Sequence, residues 1–163
     1  MMGVGKSTVG RRLAKKLHRP FFDSDDEVVN RTGRSVVDIF TVDGEEVFRD
    51  IEADVMAGLL SAQSPSVIAA AGGAILRAQT REHLTRAATV IWMRAPVDVL
   101  VERTARGSHR PALADDPVGT LTQMEMDREA LYSDAADAIV DCTQPIGTVV
   151  DSIVKVLEGV RAS

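Results

Sequence analysis

The sequence predicts an α/β fold in which a parallel sheet is covered by helices on both faces. Three observations predict it. Segments with the helical period alternate along the whole chain with short apolar runs. Those runs are continuously apolar, as in strands buried on both faces. Glycines and acidic residues fall just after the runs, at the carboxyl ends of strands, where sheets of this kind bind ligands.

The elements follow in order. Lys6 to Leu17 reads as a helix, with Val9, Leu13 and Leu17 on one stripe and Arg11, Arg12, Lys15 and Lys16 on the wet side. Pro20-Phe21-Phe22 is a short strand ending in Asp23. Asp25 to Arg31 is a short helix stopped by Gly33, and Ser35 caps the next, Val36 to Thr41. Gly44 to Ala62 is a longer helix with Val47, Ile51, Val55 and Leu59 in register, and Pro65 breaks it. Val67 to Ala70 is a strand running into Gly72-Gly73. A helix near Gln79 to Leu84 leads to the strand Thr89 to Met93, and Pro96 opens the helix Val97 to Thr104. Ala105 to Asp116 is polar and irregular. The helix Val118 to Tyr132, the strand Ala138 to Val140 and the helix Pro145 to Val160 complete the chain. Asp23, Asp25, Gly72 and Gly73 all follow strands, so they should share one sheet edge.

The chain has 163 residues, which suits one domain. With 45% hydrophobic and 26% charged residues, its composition excludes a disordered polypeptide. A net charge of −5 excludes a basic nucleic-acid footprint, although a few local cations can still hold a phosphate. The one cysteine, Cys142, cannot make an internal disulfide or a Cys-rich metal site, and reads as a partly buried small hydrophobe. His18 and His83 read as helix-surface residues and His109 as solvent-facing, with no metal-ligand spacing among them. No apolar run approaches the ~20 residues of a membrane-spanning helix. The N-terminus lacks the apolar stretch of a signal peptide. A cytoplasmic protein with no membrane partner is expected.

Gly3-Val4-Gly5-Lys6-Ser7-Thr8 matches the end of the phosphate-loop pattern G-x-x-x-x-G-K-[ST]. Glycines let backbone N–H groups turn inward around phosphates, and the helix that starts here adds the partial positive charge of its N-terminus. Lys6 would reach the β- and γ-phosphates of a nucleotide, and Ser7 would ligate its Mg²⁺. The first glycine of the pattern would stand one place before Met1, and the strand that normally feeds such a loop is missing from the sequence. That strand is expected to lie upstream, through a late-assigned start codon or a cut chain, ahead of the alternative that another segment takes its place. Without it the chain is expected to fold poorly or to be inactive.

In this order, Asp23-Ser24-Asp25, Phe48-Arg49-Asp50-Ile51-Glu52, Gly72-Gly73, Arg110-Pro111 and Arg128 resemble the shikimate kinase family, from Met1 to about Val156. The stretches Thr32-Gly33-Arg34-Ser35, Ile39-Phe40 and Gly44-Glu45 add to the likeness. The resemblance implies a small P-loop NTPase-type kinase. Its parallel sheet would have five strands, the first missing here, with helices on both faces. It implies transfer of the γ-phosphoryl of ATP to the 3-hydroxyl of shikimate, with Mg²⁺, by a monomer. By family position, Asp25 would bind the shikimate hydroxyls and serve as base. Arg49 and Arg128 would grip the carboxylate, and Gly72-Gly73 would meet the ring. Asp23 and Ser7 would hold Mg²⁺, Arg110 would come from a lid over residues 105–116, and Arg103 would stack on adenine.

The chain departs from the family at Ala71, where a third glycine is usual, at Ala112 in the lid, and at Thr143, where many members place an Arg against adenine. Each residue also has a plainer reading. Asp23-Ser24-Asp25 suits a helix N-cap, Arg49 suits pairing with Glu45 or Glu52, and Arg128 suits pairing with Glu125 or Glu129. Two other functions fit parts of the pattern: a gluconate-kinase-like enzyme, which matches the phosphate loop, and an inactive remnant without the first strand.

Overall fold

The structure is a computed structural model that describes residues 1–105, 113 and 115–162. It divides into two compact units. One comprises Met1–Val9 with Thr89–Ser163, the other Gly10–Ala88. The chain passes from the first to the second within helix α1, Lys6–Leu17.

The second unit is built on a pair of parallel strands, β1 (Phe21–Asp23) and β2 (Val67–Ala69). Phe21 pairs with Val67 and Asp23 with Ala69, so the two strands end side by side. Three helices separate them in sequence: α2 (Ser24–Thr32), α3 (Val36–Val42) and α4 (Glu45–Leu60). Their boundaries follow local chemistry. Asp23 caps α2 by accepting the Asp25 N–H, and Gly33 ends it in the left-handed conformation, φ 69°. Ser35 caps α3 through the Asp38 N–H. A single 3₁₀ turn, Ala74–Leu76, follows β2 and leads into α5 (Ala78–Ala87).

The core of this unit is Val28, Ile39, Phe48 and Val55, with Val36, Phe40, Ile51 and Leu59 packed against it. Here Ile51, Val55 and Leu59 keep the expected stripe of α4, and Val47 alone leaves it. Val47 is 42% exposed, whereas Phe48, Glu52, Val55 and Met56 are buried. The larger ring of Phe48 takes the core position in its place. His18 also departs from expectation: it lies in the turn after α1, with φ 53°, rather than on the helix surface.

The first unit holds the second parallel pair, β3 (Ile91–Arg94) and β4 (Ala138–Asp141), in register from Ile91 with Ala138 to Arg94 with Asp141. Between them run α6 (Val97–Ala105) and α7 (Pro117–Ala135), which pack on each other. The last helix, α8 (Ile146–Ala162), packs on β4. Leu100, Leu121, Val149 and Ile153 are buried. Trp92 of β3 stacks on Tyr132 of α7, with centroids 5.5 Å apart. Both strand pairs are parallel, as the continuous apolar runs require, but among the described residues they form two two-stranded sheets rather than one. Residues 1–5 are turn or irregular and contribute no strand. Among the described residues no helix is long and apolar enough to cross a membrane.

Candidate active site

The phosphate loop belongs to the first unit. Gly3 and Gly5 both have positive φ, 77° and 93°, which L side chains rarely adopt. A Cβ on Gly3 would also press on Thr104 and on the Leu100 carbonyl, at 2.9 and 3.0 Å, so the loop is seated against α6. Val4 is buried, and the Val9 N–H donates to the Gly5 carbonyl at 2.9 Å, which starts α1 directly from the loop. Ser7 and Thr8 lie in the first turn of that helix. Lys6 Nζ donates to the Met1 carbonyl at 3.1 Å, so its ammonium folds back over the loop. The field here is positive. Burial pushes the pKa of the Met1 α-amino group down to about 4, and the charges of Lys6 and Arg128 push the same way. An acidic protein thus concentrates cations where a polyanion would bind.

Arg103, in the last turn of α6, donates to the Cys142 carbonyl at 2.8 Å and ties down the segment after β4. Thr143 is turned toward Asp141, whose carboxylate accepts both its N–H and its hydroxyl at 2.8 Å. Those two hydrogen bonds hold the Asp141 pKa below its ordinary value. Arg128 lies in α7. Arg94 at the end of β3 reaches two acidic residues of the same helix, Glu129 at 2.7 Å and Glu125 at 3.7 Å. Arg110 and His109 lie outside the described residues, as does the 105–116 segment except Ala105, Leu113, Asp115 and Asp116.

The other candidates belong to the second unit, and their assembly follows from the strand register. Since Asp23 pairs with Ala69, Asp23-Ser24-Asp25 and Ala71-Gly72-Gly73 emerge together from one sheet edge. Asp25 is exposed in the first turn of α2. Asp23 caps that helix, its Oδ1 accepting the Asp25 N–H at 3.2 Å.

Arg49 reaches this edge from α4 and is only 9% exposed. Glu52 accepts from its Nη1 at 2.8 Å, and Glu45 accepts from Nε and Nη2 at 3.2 and 3.0 Å. The guanidinium also lies over Phe48 and Phe40, 5.1 and 5.7 Å from the ring centroids. Both pairings considered for Arg49 therefore form, but as a buried brace rather than a solvated pair. Gly73 completes it: a Cβ there would stand 2.5 Å from both Cζ and Nη2 of Arg49, so only glycine lets the guanidinium lie flat on the loop. A planar cation held this rigidly suits a small carboxylate, which Arg grips with two parallel hydrogen bonds.

Two residues were not singled out for the site by sequence reasoning. Glu52 is 1% exposed, and a buried Glu signals a required partner. Its spacing of three from Arg49 was the available sign. Ser24 is wholly buried and accepts the Ala71 N–H at 2.8 Å. Nothing in the sequence marks that contact, which joins segments 47 residues apart.

The residues suit a nucleotide and its metal in part by themselves. The glycine loop, the helix start and Lys6 suit phosphates. Among the described residues no cluster of three or more His, Cys, Asp or Glu could cage a metal. Ser7 in the first unit and Asp23 in the second each carry a hard oxygen of the kind that Mg²⁺ takes.

Comparison with known proteins bears on the whole chain. The family model for shikimate kinase matches residues 2–158. A shikimate kinase from Bradyrhizobium diazoefficiens is 42% identical over 158 residues, spanning 96% of this chain and 76% of that protein. The solved shikimate kinase from Acinetobacter baumannii, in complex with shikimate, superimposes with a TM-score of 0.89 at 36% identity, covering 99% of this chain and 89% of that one. The enzyme from Aquifex aeolicus gives 0.85 at 33% identity, covering 98% and 93%.

Proposed function

The chain belongs to the shikimate kinase family, and from that premise we propose that it transfers the γ-phosphoryl group of ATP to the 3-hydroxyl of shikimate, yielding shikimate 3-phosphate. The observation that carries the reading is Arg49, a buried and fully braced guanidinium at the same strand edge as Asp25. That is the equipment a small hydroxylated carboxylate needs: a planar cation for the acid, and a carboxylate for the hydroxyls.

ATP supplies the phosphoryl group, and Mg²⁺ offsets its charge. The residues of the chain do the positioning, which is most of what phosphoryl transfer requires. Gly3 to Thr8 hold the phosphates through backbone N–H groups, and Lys6 stabilises charge on the oxygens. Asp25 orients the attacking hydroxyl and takes its proton. Arg49 holds the carboxylate, with Arg128 as the second cation by family position. Gly72 meets the ring through its backbone. Ser7 and Asp23 are the protein ligands for Mg²⁺, Arg103 flanks the adenine, and Arg110 reaches the phosphates from the 105–116 lid. The enzyme works as a cytoplasmic monomer.

Single-turnover assays with saturating ATP and Mg²⁺ test this. Wild type phosphorylates shikimate and leaves gluconate untouched. Lys6→Ala lowers the rate by about 10³-fold or more, the scale of losing a preorganised charge at a developing oxyanion. Shikimate binding persists in the same variant, measured by calorimetry. A Lys6→Ala enzyme near the wild-type rate would remove the loop from the mechanism.

A further inference from the structure

Ser24 stands between the two carboxylates of the substrate edge and points elsewhere. It is the first residue of α2, yet the helix is already capped by Asp23, so its hydroxyl is not spent on the helix terminus. The side chain is 0% exposed, unusual for a residue type found mostly at the surface. Its oxygen accepts the N–H of Ala71, at 2.8 Å, in the loop that follows β2. Two residues further along that loop is Gly73, whose Cα face carries the Arg49 guanidinium with no room for even a methyl group. On its remaining sides the guanidinium meets Glu45, Glu52, Phe40 and Phe48. A shift of the loop toward the guanidinium would therefore displace Arg49, because less than the space of a Cβ separates them at Gly73.

We propose that Ser24 is a positioning residue for the carboxylate-binding cation: by holding the Ala71 N–H it sets the height of the Gly72-Gly73 loop, and through Gly73 it sets the place of Arg49 relative to Asp25. The inference rests on the proposed phosphorylation of shikimate and adds the device that keeps its two binding groups in register. Asp25 is the residue after Ser24, so one short segment carries a hydroxyl-binding carboxylate and anchors the loop that seats the cation. Loss of the Ser24 oxygen leaves Asp25 in its helix and the phosphate loop untouched. It strands one half-buried N–H and frees the loop to move.

Steady-state kinetics on the full chain test this. Ser24→Ala raises the KM for shikimate about fivefold, the effect of stranding a half-buried donor, while the KM for ATP stays within twofold. In combination with Arg49→Lys the two losses of shikimate affinity are less than additive, since both act through one guanidinium. Hydrogen exchange on the wild-type protein needs no variant and shows the Ala71 amide protected well beyond an exposed amide. The proposal is overturned if Ser24→Ala changes both KM values alike, if the double variant is fully additive, or if the Ala71 amide exchanges as fast as an exposed one. A wild-type enzyme that does not phosphorylate shikimate at all would instead remove the proposed reaction, whatever Ser24 does.

Discussion

At the scale of single residues, the substrate edge is governed by what Arg49 cannot do. Its guanidinium is held by two carboxylates and two rings, and it lies on Gly73. Gly73→Ala places a methyl group inside that contact. Arg49 is long and can swing away, but doing so separates it from Glu52, which is 1% exposed. Breaking a buried pair costs about 3–5 kcal/mol when one partner is left behind. The variant should therefore lose on the order of 2–4 kcal/mol of stability in urea unfolding. Its KM for shikimate should also rise more than about tenfold, the factor that ~1.4 kcal/mol of lost binding represents. Unchanged stability together with an unchanged KM would show that the guanidinium is not braced there.

At the scale of elements, α1 carries both the phosphate loop and a close contact with β1. Gly10 lies in its interior, where glycine costs roughly 1 kcal/mol relative to alanine. The structure explains why it is tolerated: a Cβ at Gly10 would stand 2.5 Å from Cε2 of Phe21. Phe21 is itself covered by Arg11, 4.8 Å from the ring centroid, so it has a neighbour on its outer side. Gly10→Ala gains the propensity term and meets an overpacking term of about 1–3 kcal/mol. The net effect is a loss of about 1 kcal/mol. In a Phe21→Leu background the clash goes and the same substitution becomes neutral or stabilising. Thermal unfolding of the four proteins decides it, and a stabilising Gly10→Ala in the wild-type background would refute the steric account.

At the scale of the whole molecule, Cys142 couples global stability to alkaline pH. It is 2% exposed at the end of β4. Burial pushes its thiol up to about 11 from an ordinary value of 9.0; nearby Arg103 pulls it down and Asp141 raises it. The folded state thus keeps a proton that the unfolded chain releases first, so unfolding becomes more favourable as pH rises. The contribution is intact below pH 9 and is lost between pH 9 and about 11. Two pH units correspond to at most about 2.7 kcal/mol. Urea unfolding at several pH values should show wild type falling more steeply across that window than Cys142→Ala. Parallel curves would mean that the thiol titrates as it does in the unfolded chain.

By itself the sequence determined what depends on neighbours along the chain. Helix α1 spans the residues that its stripe requires, Gly33 and Ser35 end and start helices where turn chemistry demands, and the four strands fall on the apolar runs. The ordered motifs were enough to identify the family, since glycines and charges at set spacings are themselves local patterns. Tertiary structure decided what depends on distant partners. It chose Phe48 over Val47 for the core of α4, and it brought Arg94 from the end of β3 to Glu125 and Glu129. It turned Arg49 from a candidate surface charge into a buried brace, and it joined Ser24 to Ala71 across 47 residues. Among the described residues it paired β1 with β2 and β3 with β4. The physical reason is common to all of these. Periodicity and capping act within a turn or two of chain, whereas the partner of a buried polar group is whichever one the packed fold brings within about 3 Å.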